Sequence, residues 1–117
     1  MGGKYRILGK LKTEPLEARF GPLQTDELIV MEEREAHIRY RDPKDFVLFE
    51  TYGTSAALDP DLILADEKNA GTVFMIRKLP ETNLNVVVRV ALERDTEGYK
   101  NSIMTFYRVR DRNLKNS

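Results

Sequence analysis

The chain has 117 residues and a mass of 13.5 kDa, which is the size of a single domain. Its 19 basic and 19 acidic side chains balance, so it lacks the positive excess that is typical of general nucleic-acid-binding proteins. Cys is absent and His occurs once, which excludes disulfides, thiolate metal sites and histidine-rich metal sites.

The first half of the chain is predicted to contain two strands and two helices. An apolar run at 27–31 leads into a segment rich in helix formers, and the acidic first turn of that segment complements the helix dipole. Pro43 disfavours helix at Asp42 and ends this first helix, while Asp42 can cap a second helix that has Pro43 at its first position. The predicted segments are strands at 5–11 and 27–31 and helices at 32–41 and 43–58.

The second half is predicted to be a sheet. Short polar turns separate four β-rich runs and favour an antiparallel meander with strands at 62–65, 72–79, 84–92 and 102–109. Val86, Val88 and Val90 share one parity, which predicts an apolar face that packs against the helices. The fold class is therefore α+β, with two short N-terminal-side helices packed on a four- to five-stranded antiparallel sheet. We expect one domain over 1–117, with its core at about 27–112 and a polar C-terminal tail at 111–117 that frays.

Three chemistry-bearing residues of the first helix lie on one face. Arg34, His37 and Arg41 recur at helical spacing. An imidazole can move protons near neutral pH and a guanidinium can hold two phosphate oxygens at once, so this face suits a phosphodiester. The alternative interpretation is a solvated, charged helix whose His packs against a neighbour.

The final strand carries a second set of polar residues. By strand parity, Thr105 and Tyr107 project from one face, with Ser102 and Arg108 on the opposite one. Hydroxyls beside phosphate-binding cations can donate hydrogen bonds to a pentacovalent, phosphorane-like state. The alternative is that Thr105 and Tyr107 are ordinary strand formers. Arg89, on a middle strand, either lines a groove or is solvated.

Five segments together resemble a known group of nucleases. They are Glu33–Ile38, Arg41–Phe46, Asp59–Asp61, Asn85–Val90 and Tyr99–Tyr107. In order and spacing they are similar to the phage-associated nuclease domains grouped with barnase, EndoU, colicin-type toxins and bacterial mRNA interferases, called the PBECR group. The resemblance covers most of residues 27–112.

The resemblance implies a toxin-like endoribonuclease of the BECR fold, from a phage or mobile element. It implies metal-independent cleavage without a cofactor, in which the 2′-hydroxyl of RNA attacks the adjacent phosphate and leaves a 2′,3′-cyclic phosphate and a 5′-hydroxyl. By position it makes His37 the acid–base group, Arg41 a phosphate ligand, and Thr105 and Tyr107 the hydroxyls of the closing strand. The resemblance also places Lys100 and Ser102 on the strand that completes the site. Together with Arg34 of the helix face and Arg89 of the middle strand, they are the predicted substrate-binding residues. The implied partners are RNA, such as tRNA or mRNA, and an immunity or antitoxin protein.

One departure from the family pattern leaves the function open. The pattern has His after the Arg, where this chain has Asp42, so an anion replaces a second imidazole beside the implied phosphate site. Two functions therefore stand: an endoribonuclease, and a non-catalytic module of the same fold that binds RNA or a partner protein. A purely structural phage-associated protein is a third. No apolar run approaches the roughly 18 residues that span a bilayer, so we expect no membrane partner. We expect a cytoplasmic protein, although the absence of Cys is also compatible with export.

Overall fold

The computed structural model describes residues 4–41, 43–80 and 82–109, and three helices and six strands lie within them. In chain order they are β1 (Tyr5–Lys10), α1 (Thr13–Phe20), β2 (Glu27–Met31), α2 (Glu32–Arg41), α3 (Pro43–Leu58), β3 (Leu62–Ala65), β4 (Thr72–Lys78), β5 (Asn83–Arg89) and β6 (Asn101–Val109). The predicted cap at Asp42 and the predicted fraying tail at 111–117 fall outside the described residues.

The α+β class is confirmed, but the predicted sheet of four to five antiparallel strands is wrong. The strands form one six-stranded mixed sheet in the order β1-β2-β6-β5-β4-β3. The meander from β3 to β6 is antiparallel as predicted, and β1 pairs antiparallel with β2. β2 and β6 pair in parallel, joining the two parts of the sheet. A parallel pair needs a long crossover between its strands, and here the whole segment from α2 to β5 provides it.

The buried core lies between the sheet and the helices. Val86, Val88 and Val90 belong to it, together with Ile38 of α2 and Phe49 of α3, which confirms the predicted apolar face of β5. The ring of Phe49 stacks on Phe106 of β6, with 4.9 Å between ring centroids. α2 and α3 therefore sit across the strands that carry the candidate site.

The prediction of only two helices is also wrong, because a third helix, α1, precedes them. This helix runs over eight residues. Its Leu16 is 1% exposed and belongs to the core. Burial of a leucine side chain contributes roughly 1.5–3 kcal/mol, which stabilises a helix too short to form alone. None of the helices among the described residues is both long enough and apolar enough to cross a membrane.

Candidate active site

A β-bulge in β6 changes which polar side chains share a face. Thr105 pairs with Val87 and Ile103 pairs with Val88, so Met104 is an extra residue without a partner on β5. The residues Ser102, Thr105 and Tyr107 pair with Arg89, Val87 and Asn85, which alternate along one face of β5. The prediction that Ser102 lies opposite Thr105 and Tyr107 is therefore wrong, since strand parity fails across a bulge. We call the face that carries Val87, Thr105 and Tyr107, turned away from the core, the outer face.

Arg41 joins α2 to β6. Its Nη1 donates to Thr105 Oγ1 at 3.2 Å, and its Nη2 donates to the carbonyl oxygen of Phe106 at 2.7 Å. β2 pairs with β6 only as far as Ile103, so these contacts lie just past the last residue that β2 reaches. The guanidinium thus binds the part of β6 that the neighbouring strand leaves free.

His37 lies one helical turn before Arg41 on α2 and is exposed. Residues three and four apart share a helix flank, so the imidazole and the guanidinium lie on the same side of α2. Within the described part of the chain, no hydrogen bond or ion pair involves His37. Arg41 therefore contacts Thr105, and the imidazole of His37, on the adjacent turn of α2, is accessible to solvent. Its predicted role in proton transfer stays a prediction.

Tyr107 is exposed on the sheet, whereas Arg34 is half-buried on α2. The Tyr107 side chain is 41% exposed on the outer face, directly across from Asn85 of β5. Arg34 is half-buried on the flank of α2 that also carries Arg41. Asn85 escaped the sequence analysis, although an Asn between Leu84 and Val86 is an unusual strand residue and was an available signal.

Three of the predicted substrate-binding residues have partners inside the fold. Arg89 forms an ion pair with Asp95, with Nη2 to Oδ1 at 3.0 Å, and also donates to the carbonyl of Val90. Lys100 lies 3.4 Å from a carboxylate oxygen of Glu27. The hydroxyl of Ser102 contacts the sulfur of Met104 at 3.8 Å. A role for Arg89 in substrate binding requires this ion pair to open.

Gly71 fits the guanidinium of Arg89 closely. A Cβ at this position would clash with Nη1 of Arg89, and the backbone φ of +82° is one that other residues rarely adopt. The ion pair of Arg89 with Asp95 therefore lies beneath the turn before β4 and ties the loop after β5 to the sheet.

We expect the contribution of Asp95 to stability to depend on pH. The backbone N–H of Leu92 donates to Asp95 Oδ2 at 2.7 Å, and this bond, followed by the side chain of Arg89, lowers the pKa of the carboxyl. A pKa lowered by folding means that the stabilisation is complete above the ordinary value of 3.8 and is lost as pH falls through the lower value of the folded state. Asp95→Asn should therefore unfold at lower urea concentration than the wild type at pH 7, and this difference should narrow at pH 3. A constant difference at both pH values would contradict the assignment.

No cluster of three or more His, Cys, Asp or Glu side chains that could hold a metal ion occurs among residues 4–41, 43–80 and 82–109. Comparison with protein-family models, with curated proteins and with solved structures found no match for the chain.

Proposed function

We propose that the protein is a metal-independent endoribonuclease that cleaves RNA through a 2′,3′-cyclic phosphate. The observation that carries this proposal is the contact of Arg41 with Thr105, beside an accessible His37 on the same flank of α2. The contact joins residues 64 positions apart in sequence, and it unites the two sets of polar residues that suit a phosphodiester.

Arg41 is well suited to hold a phosphate. A guanidinium has five N–H donors, and its two contacts with β6 leave three of them for phosphate oxygens. The same contacts fix its orientation before substrate binds, which lowers the entropy cost of a bidentate phosphate contact. Thr105, whose hydroxyl oxygen accepts from Arg41, keeps its own O–H free to donate to a third phosphate oxygen.

The proposed reaction assigns one step to each group. The imidazole of His37 takes the proton of the 2′-hydroxyl, and that oxygen forms a bond to the adjacent phosphorus. The bond from phosphorus to the 5′-oxygen breaks, and this oxygen leaves as a hydroxyl with a proton from solvent. Arg41 and Thr105 stabilise the negative charge that develops on the phosphate oxygens between these events. The products are a 2′,3′-cyclic phosphate and a 5′-hydroxyl.

Arg41→Ala should lower the rate of RNA cleavage by about 10²–10³-fold, the range seen when one preorganised donor to a developing anion is removed. Arg41→Lys should recover only a small part of the rate, because an ammonium keeps the charge but lacks the planar fork. The measurement is single-turnover cleavage of tRNA and mRNA, with the 2′,3′-cyclic phosphate identified in the products.

Arg39→Ala is the matched control for Arg41→Ala. Arg39 is an exposed cation on the same helix, and its guanidinium lies over the ring of Phe46 at 4.6 Å rather than against β6. The two variants therefore lose the same charge from the same element. Equal losses of activity would show that general attraction of RNA, and not phosphate binding at Thr105, is what Arg41 contributes.

A non-catalytic module that binds RNA or a partner protein is the second candidate function. The chain has Asp42 where the family pattern has a second His, and its net charge is zero. An assay for RNA cleavage distinguishes the endoribonuclease from the non-catalytic binding module. Binding of RNA by the wild type without any cleavage product, at protein concentrations above the dissociation constant, would select the binding module.

A further inference from the structure

A groove of about 990 Å³ follows β3, the strand at the edge of the sheet, and reaches the outer face. Its walls on that face are the side chains of Leu64, Phe74, Ile76, Asn85 and Tyr107. Three of them form a row across neighbouring strands, since Ile76 pairs with Asn85 and Asn85 pairs with Tyr107. On the outer face the groove therefore presents an apolar floor, one amide and one exposed phenol ring. The rest of its lining includes the charged residues Arg19, Asp66, Glu67, Lys68 and Arg108.

Asn85 is a buried amide whose hydrogen bonding is incomplete. Its side chain is 4% exposed, and its Oδ1 has no hydrogen-bond partner among the described residues. Asn101, the buried Asn of β6, shows the usual state, with its amide oxygen and nitrogen both bonded to backbone groups. A buried acceptor without a donor is unfavourable, and its pairing with a bound group would remove that cost. A bound group that donates a hydrogen bond to Asn85 would therefore complete the hydrogen bonding of this side chain.

We propose that this groove binds an unpaired nucleobase of RNA, with adenine preferred, stacked on Tyr107 and hydrogen-bonded to the amide of Asn85. Single-stranded RNA is commonly recognised by exposed aromatic rings on a sheet face and by side chains that reach base edges. An Asn amide has an NH₂ group beside an acceptor oxygen, and it complements the amino group N6 and the ring nitrogen N7 on one edge of adenine, a pair that the same edge of G, C or U does not present. Half a turn of the amide exchanges its oxygen and nitrogen, so either can face the base.

The position of the groove agrees with the proposed phosphate site, and in this respect the inference rests on the proposed function. Tyr107 lies two residues beyond Thr105 on the same face of β6, which is roughly 7 Å along a strand. That distance is close to the separation of a phosphate from the base of the same nucleotide. A nucleotide whose phosphate is bound by Arg41 and Thr105 therefore places its base over Tyr107 and Asn85.

A peptide fits the groove less well. An extended peptide that adds to the free edge of β3 would bond the backbone of that strand. Asn85 lies on β5, which is separated from the edge strand by β4. A strand at the edge therefore leaves the unpaired amide unsatisfied, whereas a flat base lying on the outer face covers it.

The test measures binding separately from cleavage. Binding is measured by fluorescence anisotropy with labelled 2′-O-methyl pentamers of A, C, G or U. The methyl group blocks the attacking 2′-hydroxyl, so the proposed reaction cannot cut these probes. The wild type should bind the A pentamer most tightly. Tyr107→Leu should weaken binding of all four pentamers by about 5–100-fold, the range for loss of one base stack. Tyr107→Phe should stay within about twofold of the wild type, because its ring still stacks.

Asn85→Leu tests the amide, since it replaces the side chain by an apolar one of similar size. It should bind the four pentamers with nearly equal affinity, so the preference for A is lost while the stack remains. Tyr52→Leu is the matched control, because Tyr52 is a similarly exposed ring on α3, outside the groove. Circular dichroism of each variant confirms that it is folded.

Each outcome separates the inference from the proposed function. Preferential binding of the A pentamer that depends on Tyr107 and Asn85 supports the inference even if unmodified RNA is never cleaved. Cleavage of unmodified RNA with unchanged pentamer binding in both variants overturns the inference and leaves the nuclease. A wild type that binds none of the four pentamers also overturns it, and so does equal weakening by Tyr52→Leu and Tyr107→Leu.

Discussion

His37→Ala should lower the rate of RNA cleavage by about 10²–10⁴-fold, which is the usual contribution of a general acid–base group. No other imidazole exists in the chain, so another His cannot take over the proton of the 2′-hydroxyl. His37 is exposed, and its replacement should therefore leave the core and the fold intact. The measurement is single-turnover cleavage of the same RNA by the wild type and the variant, with folding checked by circular dichroism.

Tyr40→Ala is the control for His37→Ala, because Tyr40 is 85% exposed on the same helix. It should cleave RNA at nearly the wild-type rate. EDTA should have little effect, since the proposed reaction assigns proton transfer to His37 and charge stabilisation to Arg41. Equal activity of wild type and His37→Ala, or activity abolished by EDTA, would remove His37 from this role.

Local signals in the sequence were sufficient to predict the meander and the two longer helices. The meander from β3 to β6 follows from alternating residues such as Val86 and Val88 and from short polar turns between the strands. The boundary between α2 and α3 follows from Pro43, which starts α3. These features depend on residues close together in the chain, which is why pattern alone identifies them.

Non-local pairing escaped prediction. The parallel contact of β2 with β6 depends on a crossover of about 70 residues, and neither strand carries a local sign of its partner. No residue pattern around Met104 indicates the bulge, yet the bulge moves Thr105 and Tyr107 onto the face that also carries Ser102. The prediction assumed that successive side chains of β6 alternate between the two faces of the sheet without interruption, and the bulge breaks this alternation.

The candidate site was predictable in part. Helical spacing alone grouped Arg34, His37 and Arg41, and the structure keeps them on one flank of α2. Contact of Arg41 with Thr105 depends on how α2 crosses the sheet, which the sequence does not encode locally. The ion pair of Arg89 with Asp95 was also unpredicted, since it requires the loop after β5 to fold back onto the sheet.

Asn101→Ala should lower the free energy of unfolding by about 3–4 kcal/mol, because three backbone groups lose a hydrogen bond and each loss counts at the low end of the roughly 1–3 kcal/mol range. The side chain of Asn101 is 0% exposed. Its Oδ1 accepts from the backbone N–H of Ala91 at 2.7 Å, and its Nδ2 donates to the carbonyls of Thr25 and Glu27 at 2.8 Å each. One amide thus ties β6 to the segment after β5 and to the start of β2. The measurement is urea unfolding at neutral pH.

Two further variants decide whether hydrogen bonding by Asn101 causes this loss. Asn69→Ala is the control, since Asn69 is exposed and donates only to Asp66, and it should cost less than about 1 kcal/mol. Asn101→Asp keeps the acceptor for Ala91 but turns a buried carboxylate toward two carbonyl oxygens, which disfavours its charged form. Folding should therefore raise the pKa of the new carboxyl, and this variant should regain stability as pH falls from 7 to 5. Because Asp keeps the size and shape of Asn, stability of Asn101→Asp equal to the wild type at pH 7 would mean that side-chain volume, and not the bonds to Thr25 and Glu27, is what Asn101 contributes.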